Sequence, residues 1–310
     1  MSKPRDPDPF RLGLIGAGPW GRNYINTIAG LDGMQLTRLA SRNSESAGLV
    51  GSECTISQDW QDLIGAADMD GIIIASPAYS HADMVMAAIG QGLAVLVEKP
   101  MTLSVADAEK ILATAQAEDA IVMVDHIHLY SAAWEAVKRE APALGAIHTI
   151  SGVAGKWGPF PPSTPVLWEW GSHDVAMCIN LMDRPPEFAT TTRVEARDGG
   201  ETLNVVLNFG DAEARIAIGN LYPEKNRLFA ISFENGELSY DDTLDGSDKV
   251  RLKTSPQDPG GTFKLGPATP MERALLAFRD AVGRGAPEWD DAALGAQVVG
   301  ILARLDSTLD

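Results

Sequence analysis

Apolar and polar positions change their spacing along the chain, and the change divides it into two parts. From Phe10 to about Val124, short apolar runs such as Ile72-Ile-Ile74 alternate with stretches of helical periodicity. This alternation is typical of βαβ units whose parallel strands are covered on both faces. The predicted strands are Leu12–Gly16, Met34–Ser41, Gly71–Ser76, Leu93–Glu98 and Ala120–Asp125, and the predicted helices include Ser80–Gly90 and Ser104–Glu118.

After about residue 145 the apolar positions recur at every second residue. In Thr202–Phe209 apolar and polar side chains alternate strictly, which predicts a half-buried antiparallel strand. Similar strands are predicted at Ala212–Gly219, Arg227–Glu234 and Glu237–Tyr240, with Asn235-Gly236 as a hairpin signal and helices following at Met271–Gly283 and Ala292–Leu305. We therefore predict a doubly wound parallel sheet in residues 1–125. Residues 126–310 are predicted to form an α+β domain, a mainly antiparallel sheet with helices on one face.

Composition narrows the class of protein. The chain has 310 residues, 45% of them hydrophobic, which is enough for two domains with substantial cores. The formal net charge of −17 opposes binding to nucleic acid or to anionic membranes, because both attract clustered cations. Residues 1–10 show no signal peptide, and the sequence contains no apolar run long enough to span a membrane. A cytoplasmic, soluble protein is expected.

A glycine pattern of six residues begins at the end of the first predicted strand. Gly16-Ala-Gly-Pro-Trp-Gly21 follows Leu12-Gly-Leu-Ile15, and such a GxGxxG between a strand and a helix predicts a Rossmann dinucleotide-binding turn. The first glycine permits the turn, the second admits the pyrophosphate and the third allows close packing of the helix on the sheet. On its own the pattern also occurs in plain turns. The flanking βαβ pattern favours cofactor binding by Gly16, Gly18, Pro19, Trp20 and Gly21.

The end of the second predicted strand bears on the choice between NAD and NADP. An acidic residue there binds the ribose 2′-hydroxyl of NAD and repels the 2′-phosphate of NADP. This chain has Ser41 and Arg42 instead, so NADP is favoured over NAD. A solvated loop arginine is the alternative interpretation.

Glu98-Lys99-Pro100 places a charged pair at the end of a predicted buried strand. Ligands of open α/β sheets bind at the carboxyl ends of the strands, so Lys99 is a candidate proton donor or acceptor that Glu98 could hold in place. An ordinary ion pair at a strand end is the alternative. Ser76-Pro77 and His81 follow another strand and are expected near the nicotinamide ribose, although a helix cap at Ser80 would also explain this local polarity.

The second part of the chain contributes Leu167-Trp-Glu-Trp-Gly-Ser-His-Asp174. Glu169 and His173 are four residues apart and share a face if one helix contains both. A carboxylate and an imidazole so placed can hold a substrate hydroxyl and relay its proton. Trp168 and Asp174 are candidate substrate contacts. The alternative is a structural histidine at a helix start, with Asp174 as a first-turn partner of the helix dipole.

His126 and His128 follow the last predicted strand of the first part. Their spacing could suggest a metal site, but no third ligand lies nearby in the sequence. Cys54 and Cys178 are also too far apart for a zinc pattern or a disulfide framework. No metal is expected, and His126 is a candidate for lining the substrate cleft.

These motifs together resemble those of the Gfo/Idh/MocA family of nicotinamide-dependent oxidoreductases. The resemblance rests on Gly16-Ala-Gly-Pro-Trp-Gly21, Ser76-Pro-Ala-Tyr-Ser-His81, Glu98-Lys-Pro100 and Glu169-Trp-Gly-Ser-His173 and extends over nearly the whole chain. It implies a cofactor-binding first domain, which includes Glu98 and Lys99 among the cofactor contacts, and a substrate-binding and oligomerising second domain. It also implies that Lys99 contacts the reacting oxygen and that His173 transfers protons. The family usually has aspartate where this chain has Glu169.

The activity implied by the resemblance is reversible hydride transfer between NAD(P) and a secondary alcohol or carbonyl. The implied substrate is a sugar, a sugar derivative or a polyol. Other members of such a family are cofactor-sensing or sugar-sensing regulators, hydrolases or imine reductases, and these remain the alternatives. A homo-oligomer, dimer or tetramer, is the implied assembly.

Overall fold

The computed structural model of the protein describes residues 9–309 except 67, 161, 163, 256 and 286–288. The prediction that the N-terminal residues form no signal peptide therefore falls largely outside the described residues. The chain divides into two compact units. Unit 1 comprises Met1–Asp125 with Met271–Ala296, and unit 2 comprises His126–Pro270 with Gln297–Asp310.

Unit 1 is built around a parallel sheet of six strands. The strands are β1 (Phe10–Ile15), β2 (Met34–Ala40), β3 (Thr55–Ser57), β4 (Gly71–Ile74), β5 (Ala94–Glu98) and β6 (Val122–Asp125). The helices between them are α1 (Pro19–Gly30), α2 (Trp60–Ile64), α3 (His81–Gly90) and α4 (Val105–Ala117). The spatial order β3-β2-β1-β4-β5-β6 is that of a Rossmann fold and reverses direction beside β1, where dinucleotides bind in such sheets.

The apolar runs that predicted these strands are the core of unit 1. Every residue of β4, β5 and β6 is buried, as parallel strands covered on both faces require. Ser104 caps α4 by accepting a hydrogen bond from the backbone N–H of Asp107, at the start of the predicted helix. Strand β3 was not predicted, because three residues are too few to show a hydrophobic period and these three are largely exposed.

Unit 2 contains the second sheet and its helices. The strands are β7 (Ile147–Trp157), β8 (Phe188–Arg197), β9 (Gly200–Asn208), β10 (Glu213–Gly219), β11 (Leu221–Phe233), β12 (Gly236–Asp241), β13 (Val250–Lys253) and β14 (Gly261–Thr262). The helices of the remaining chain are α5 (Ala132–Glu140), α6 (Val166–Met182), α7 (Pro270–Arg284) and α8 (Trp289–Asp306). Helix α5 packs on β12 and β13, and α6 packs on β10, β7 and β9.

The second sheet has the order β14-β13-β12-β11-β7-β10-β9-β8. Its neighbouring strands pair antiparallel except β7 and β10, which pair parallel. The mainly antiparallel prediction is confirmed, and so is the Asn235-Gly236 hairpin between β11 and β12. The strands do not follow one another as in a simple meander, since β7 is inserted between β10 and β11.

Residues 271–296, which the sequence prediction placed in the second domain, belong instead to unit 1. The physical reason lies in the apolar face of α7. Phe278 is fully buried there, its ring packs edge-on against Phe10 at 6.1 Å, and a Cβ at Gly71 would lie 2.8 Å from it. The glycine that begins β4 therefore makes room for a helix from far along the chain.

Candidate active site

The turn between β1 and α1 provides a cradle for an anion. Gly16 has φ +102°, and a Cβ there would lie 2.5 Å from the carbonyl oxygen of Ala75. A Cβ at Gly21 would lie 2.0 Å from the carbonyl oxygen of Gly16, so α1 can pack this close only with glycine. A Cβ at Gly18, by contrast, would meet nothing within 4 Å. Space is therefore left open beside the first turn of α1.

The N-terminus of α1 carries no competing anion. Gly18 is the N-cap and has no side chain to cap the helix, Pro19 occupies the first turn, and that turn contains no acidic residue. The backbone N–H groups and the positive end of the helix dipole can therefore receive a phosphate. The predicted contact Trp20 is 38% exposed at the same turn. These residues fit the pyrophosphate of a dinucleotide.

Ser41 and Arg42 follow β2, in the same unit as this cradle. The hydroxyl of Ser41 lies 2.8 Å from that of Ser46 and accepts a hydrogen bond from the backbone N–H of Asn43. Arg42 is exposed, and its guanidinium has no hydrogen bond or ion pair with another described residue. A cation so placed can bind a phosphate without first breaking an internal pair.

His81 ties the loop after β4 to the loop after β5. Its Nε2 lies 2.8 Å from the carbonyl oxygen of Ser76, and its Nδ1 lies 3.0 Å from that of Pro100. Burial lowers the pKa of the imidazole, against the hydrogen bonds to those carbonyls. Ser80 does not cap α3, since its hydroxyl bonds to Ser76 and to the carbonyl of Pro77. The helix-cap alternative is therefore wrong, and the polar residues here join two loops of the predicted site.

Lys99 is buried, with only 6% of its surface exposed, directly after β5. The Lys99–Pro100 bond is cis. The backbone N–H of Lys99 donates to Oε2 of Glu98 at 3.2 Å, so the carboxyl group holds the backbone of the lysine. The positive charge of Lys99 acts on its neighbours. It opposes the rise that desolvation causes in the pKa of Glu98 and of Asp125, and it adds to the lowering that burial causes in the pKa of His81. The structure thus places a buried cation at the carboxyl end of the sheet.

Glu98, the neighbour of Lys99 in the chain, belongs to a buried cluster with Tyr24 and Asp125 that was not predicted from the sequence. Tyr24 on α1 is fully buried and bonds through its hydroxyl to Glu98, at 3.1 Å from Oε1, and to Oδ2 of Asp125. Glu98 and Asp125 are register partners on β5 and β6. Desolvation raises the pKa of Glu98 to about 8 and that of Asp125 to about 6, and it raises the pKa of Tyr24 well above its ordinary value.

In unit 2, helix α6 begins at Val166 and so contains both Glu169 and His173. The two residues share a face, as expected for a spacing of four. His173 is buried, and its ring packs edge-on against that of His128 with centroids 4.9 Å apart. Nδ1 of His128 in turn lies 3.2 Å from the hydroxyl of Tyr240. His128, considered above only as a metal ligand, is thus part of the surroundings of the predicted catalytic histidine.

The interpretation of Asp174 as a first-turn dipole partner is wrong, because α6 starts eight residues earlier, at Val166. Asp174 instead forms a buried ion pair through Oδ1 with Nη1 of Arg227 on β11. The guanidinium lies 5.5 Å from the ring centre of Trp170. Desolvation raises the pKa of Asp174 to about 6, although the charge of Arg227 opposes the shift. Pairing of the two charges explains how unit 2 tolerates both in its interior.

The remaining predicted contacts are buried. Trp168 is 6% exposed and His126 is 3% exposed. Their roles as substrate contacts stay predictions. Among the described residues, no group of three or more potential ligands is arranged for a metal ion. Within the same residues, each helix is too short or too polar to cross a lipid bilayer.

Comparison with known proteins places these features in a family. The model of the oxidoreductase family with an NAD-binding Rossmann fold, Gfo/Idh/MocA, matches residues 10–126. D-Apiose dehydrogenase of Paraburkholderia graminis is 31% identical over 64% of this chain and 49% of its own. The aligned region spans about half the length of several curated relatives. A 1,5-anhydro-D-fructose reductase of Ensifer adhaerens is 28% identical over 89% of this chain and 90% of its own.

A solved structure extends the likeness to the whole chain. It is described only as an oxidoreductase, from Magnetospirillum magnetotacticum, and has 38% identity and a TM-score of 0.88 over 96% of this chain and 100% of its own. The identity is high enough for more than the fold to be shared. From the family match and this full-length relative, the chain belongs to the Gfo/Idh/MocA oxidoreductase family.

Proposed function

We propose that the protein catalyses reversible hydride transfer between NAD(P) and a secondary alcohol or carbonyl of a sugar, sugar derivative or polyol. The observation that carries the proposal is the buried Lys99 at the carboxyl end of β5, in the unit whose first turn fits a dinucleotide. The sugar substrates in the names of D-apiose dehydrogenase and 1,5-anhydro-D-fructose reductase support the substrate class.

The nicotinamide, when bound, accepts or donates the hydride. Gly16, Gly18 and Gly21 leave room for its pyrophosphate, and the N-terminus of α1 supplies the N–H donors. We further propose that NADP is preferred over NAD. The exposed guanidinium of Arg42, with no carboxylate at the end of β2, supports a 2′-phosphate at this position.

Lys99 is proposed to exchange the proton of the substrate hydroxyl. Its burial excludes water from the ammonium, and the bond from its backbone to Glu98 fixes the start of the side chain. A proton-transfer group needs this kind of fixed position before its acidity matters. His173 is the second candidate for proton transfer, with Glu169 on the same face of α6.

A substrate screen with a lysine variant tests this function. Purified protein is incubated with sugars and polyols and with each cofactor, and reduced nicotinamide is followed by its absorbance. Lys99→Ala is expected to bind cofactor nearly normally and to lose turnover about 10²–10⁴-fold, the usual contribution of a positioned acid or base. Lys110→Ala, which removes an exposed lysine from α4, is the matched control and should keep the parental rate.

Two outcomes contradict the proposal. A Lys99→Ala variant that turns over a good substrate at the parental rate would make this lysine structural. A protein that binds the cofactor and releases it unchanged with every substrate class would be a sensor. The homo-oligomer also stays a proposal, and light scattering tests it against the monomer mass of 33.0 kDa.

A further inference from the structure

Three side chains with acidic hydrogens meet in the interior of unit 1. The hydrogen bonds between them determine how many protons they hold together. Tyr24, Glu98 and Asp125 are 0%, 6% and 1% exposed. The Tyr24 hydroxyl lies within hydrogen-bonding distance of both carboxyl groups. A hydroxyl has one hydrogen to donate and can also accept. If both carboxyl groups were ionised, one of them would lack its donor, and two like charges would face each other away from water.

One additional proton removes both penalties. Oε2 of Glu98 already accepts the backbone N–H of Lys99, so the carboxyl oxygen that faces Tyr24 is Oε1. A proton on Oε1 would be donated to the Tyr24 oxygen, and Tyr24 would then donate its own hydrogen to Oδ2 of Asp125. All three groups are linked in this arrangement, and a single negative charge remains. The mirror arrangement, with the proton on Oδ2 of Asp125 and the Tyr24 hydrogen donated to Oε1 of Glu98, links the same three groups and leaves the same single charge.

We propose that Tyr24, Glu98 and Asp125 form a buried hydrogen-bonded chain that holds one proton at neutral pH and presents one negative charge to Lys99. Tyr24 and Asp125 are then positioning residues for the lysine, an extension that rests on the proposed function of Lys99. The retained proton is shared between the two carboxyl groups. One buried negative charge beside the ammonium costs less than two, because every charge taken out of water has to be compensated.

The surrounding charges agree with this distribution. Lys99 is the cation that acts on both carboxyl groups, and Asp291 on α8 adds a negative potential at Asp125. His81, the next titratable group around Lys99, is disfavoured as a cation by burial and by that lysine. Desolvation raises the pKa of both carboxyl groups, which favours a proton retained on the chain at pH 7. Each group is part of unit 1.

Infrared spectroscopy of the protein without substrate tests the proton directly. A protonated carboxyl group gives a C=O stretching band that a carboxylate lacks. We expect this band at pH 7 in the parental protein and its loss as the pH rises through about 8. Glu98→Gln should abolish the band, and Asp125→Asn should move its loss to lower pH, because a like charge is removed. Lys99→Met should move it to higher pH. Asp211→Asn, which changes an exposed carboxylate, is the control.

The titration of the parental protein decides the matter even if a variant fails to fold. Absence of the band at pH 7, or its survival in Glu98→Gln, overturns the inference. The positioning role is read from Tyr24→Phe once a substrate is known. Turnover should fall about 10-fold with a changed pH profile and an unchanged cofactor KM, and the same change in a Lys99→Ala background should have no further effect. A titrating band in a protein without turnover would reject the proposed function and keep the shared proton.

Discussion

A single cation, Arg42, is the residue on which the proposed preference for NADP depends. It is exposed after β2, where an acid would select NAD. Arg42→Ala should weaken NADP binding by roughly 1–3 kcal/mol, the scale of charge-assisted hydrogen bonds, and leave NAD binding nearly unchanged. Fluorescence titration with both cofactors measures the difference.

A matched control separates this effect from the loss of one positive charge. Arg215→Ala removes an arginine from β10 in unit 2, where its guanidinium is largely exposed beside Glu213. It should change the affinity for NADP little. A parental protein that prefers NAD, or an Arg42→Ala variant with unchanged NADP affinity, would contradict the assignment.

Other residues of the candidate site differ in how visible they are from the sequence. The roles of Gly16 and Gly21 could be predicted, because the local turn fixes their spacing in the sequence. The structure shows the close contacts that require glycine at both positions. Lys99 is readable because charge at a buried strand end is unusual. Tyr24 is not, because an aromatic residue on a helix ordinarily indicates core packing. Only the fold brings its hydroxyl to carboxyl groups from β5 and β6.

At the scale of elements, α6 carries the second predicted pair. The helix starts early enough to place Glu169 and His173 on one face, with Glu169 half-buried and His173 buried against His128. If His173 transfers protons, His173→Ala should lower turnover about 10²-fold or more and remove one limb of the pH profile. Glu169→Asp should be milder, within about 10-fold, because the carboxylate is kept and shortened toward the residue usual in the family.

Steady-state rates between pH 5 and pH 9 measure both variants. His148→Ala is the control, because it removes a histidine that is exposed on β7 of the same unit. An unchanged pH profile in His173→Ala would leave this histidine a structural role only. A Glu169→Asp variant as poor as His173→Ala would show that the longer side chain is required.

The second sheet shows where periodicity stops being informative. β9 and β10 are readable because alternate residues such as Leu203 and Ile216 are buried. β8 is an edge strand with most of its side chains exposed, so no apolar period marks it. The place of β7 between β10 and β11 depends on pairing between segments distant in sequence. Periodicity within one strand contains no information about such a partner.

At the scale of the whole molecule, the acidic sequence and the buried carboxyl groups have separate consequences. The net charge of −17 describes the chain as a whole, whereas Glu98, Asp125 and Asp174 are buried. In each of these three, desolvation raises the pKa above its ordinary value. The folded protein therefore retains protons that the unfolded chain releases. Stability from such groups is present at low pH and is lost as the pH rises through the folded-state pKa.

The window in which Glu98 dominates lies between pH 7 and pH 8. The thiols of Cys54 and Cys178 add to the loss of stability only nearer their ordinary pKa of 9.0, because burial raises the pKa of both in the folded protein. Asp125 and Asp174, with pKa values of about 6, have lost most of their contribution by pH 7. His81 works in the opposite direction, since its lowered pKa makes protons bind preferentially to the unfolded chain, but only near and below its ordinary value of 6.5. Between pH 7 and pH 8 the free energy of unfolding should therefore fall by roughly 1 kcal/mol as Glu98 releases its proton.

Urea unfolding at pH 7, 7.5 and 8 measures this slope. Glu98→Gln should flatten it, because the amide has no proton to release, whereas Asp211→Asn at the surface should leave it unchanged. A free energy of unfolding that stays constant or rises between pH 7 and pH 8 in the parental protein would show that Glu98 is already ionised at pH 7. The buried chain from Glu98 through Tyr24 to Asp125 would then carry two negative charges against one lysine. That arrangement contradicts the charge balance on which the positioning of Lys99 was inferred.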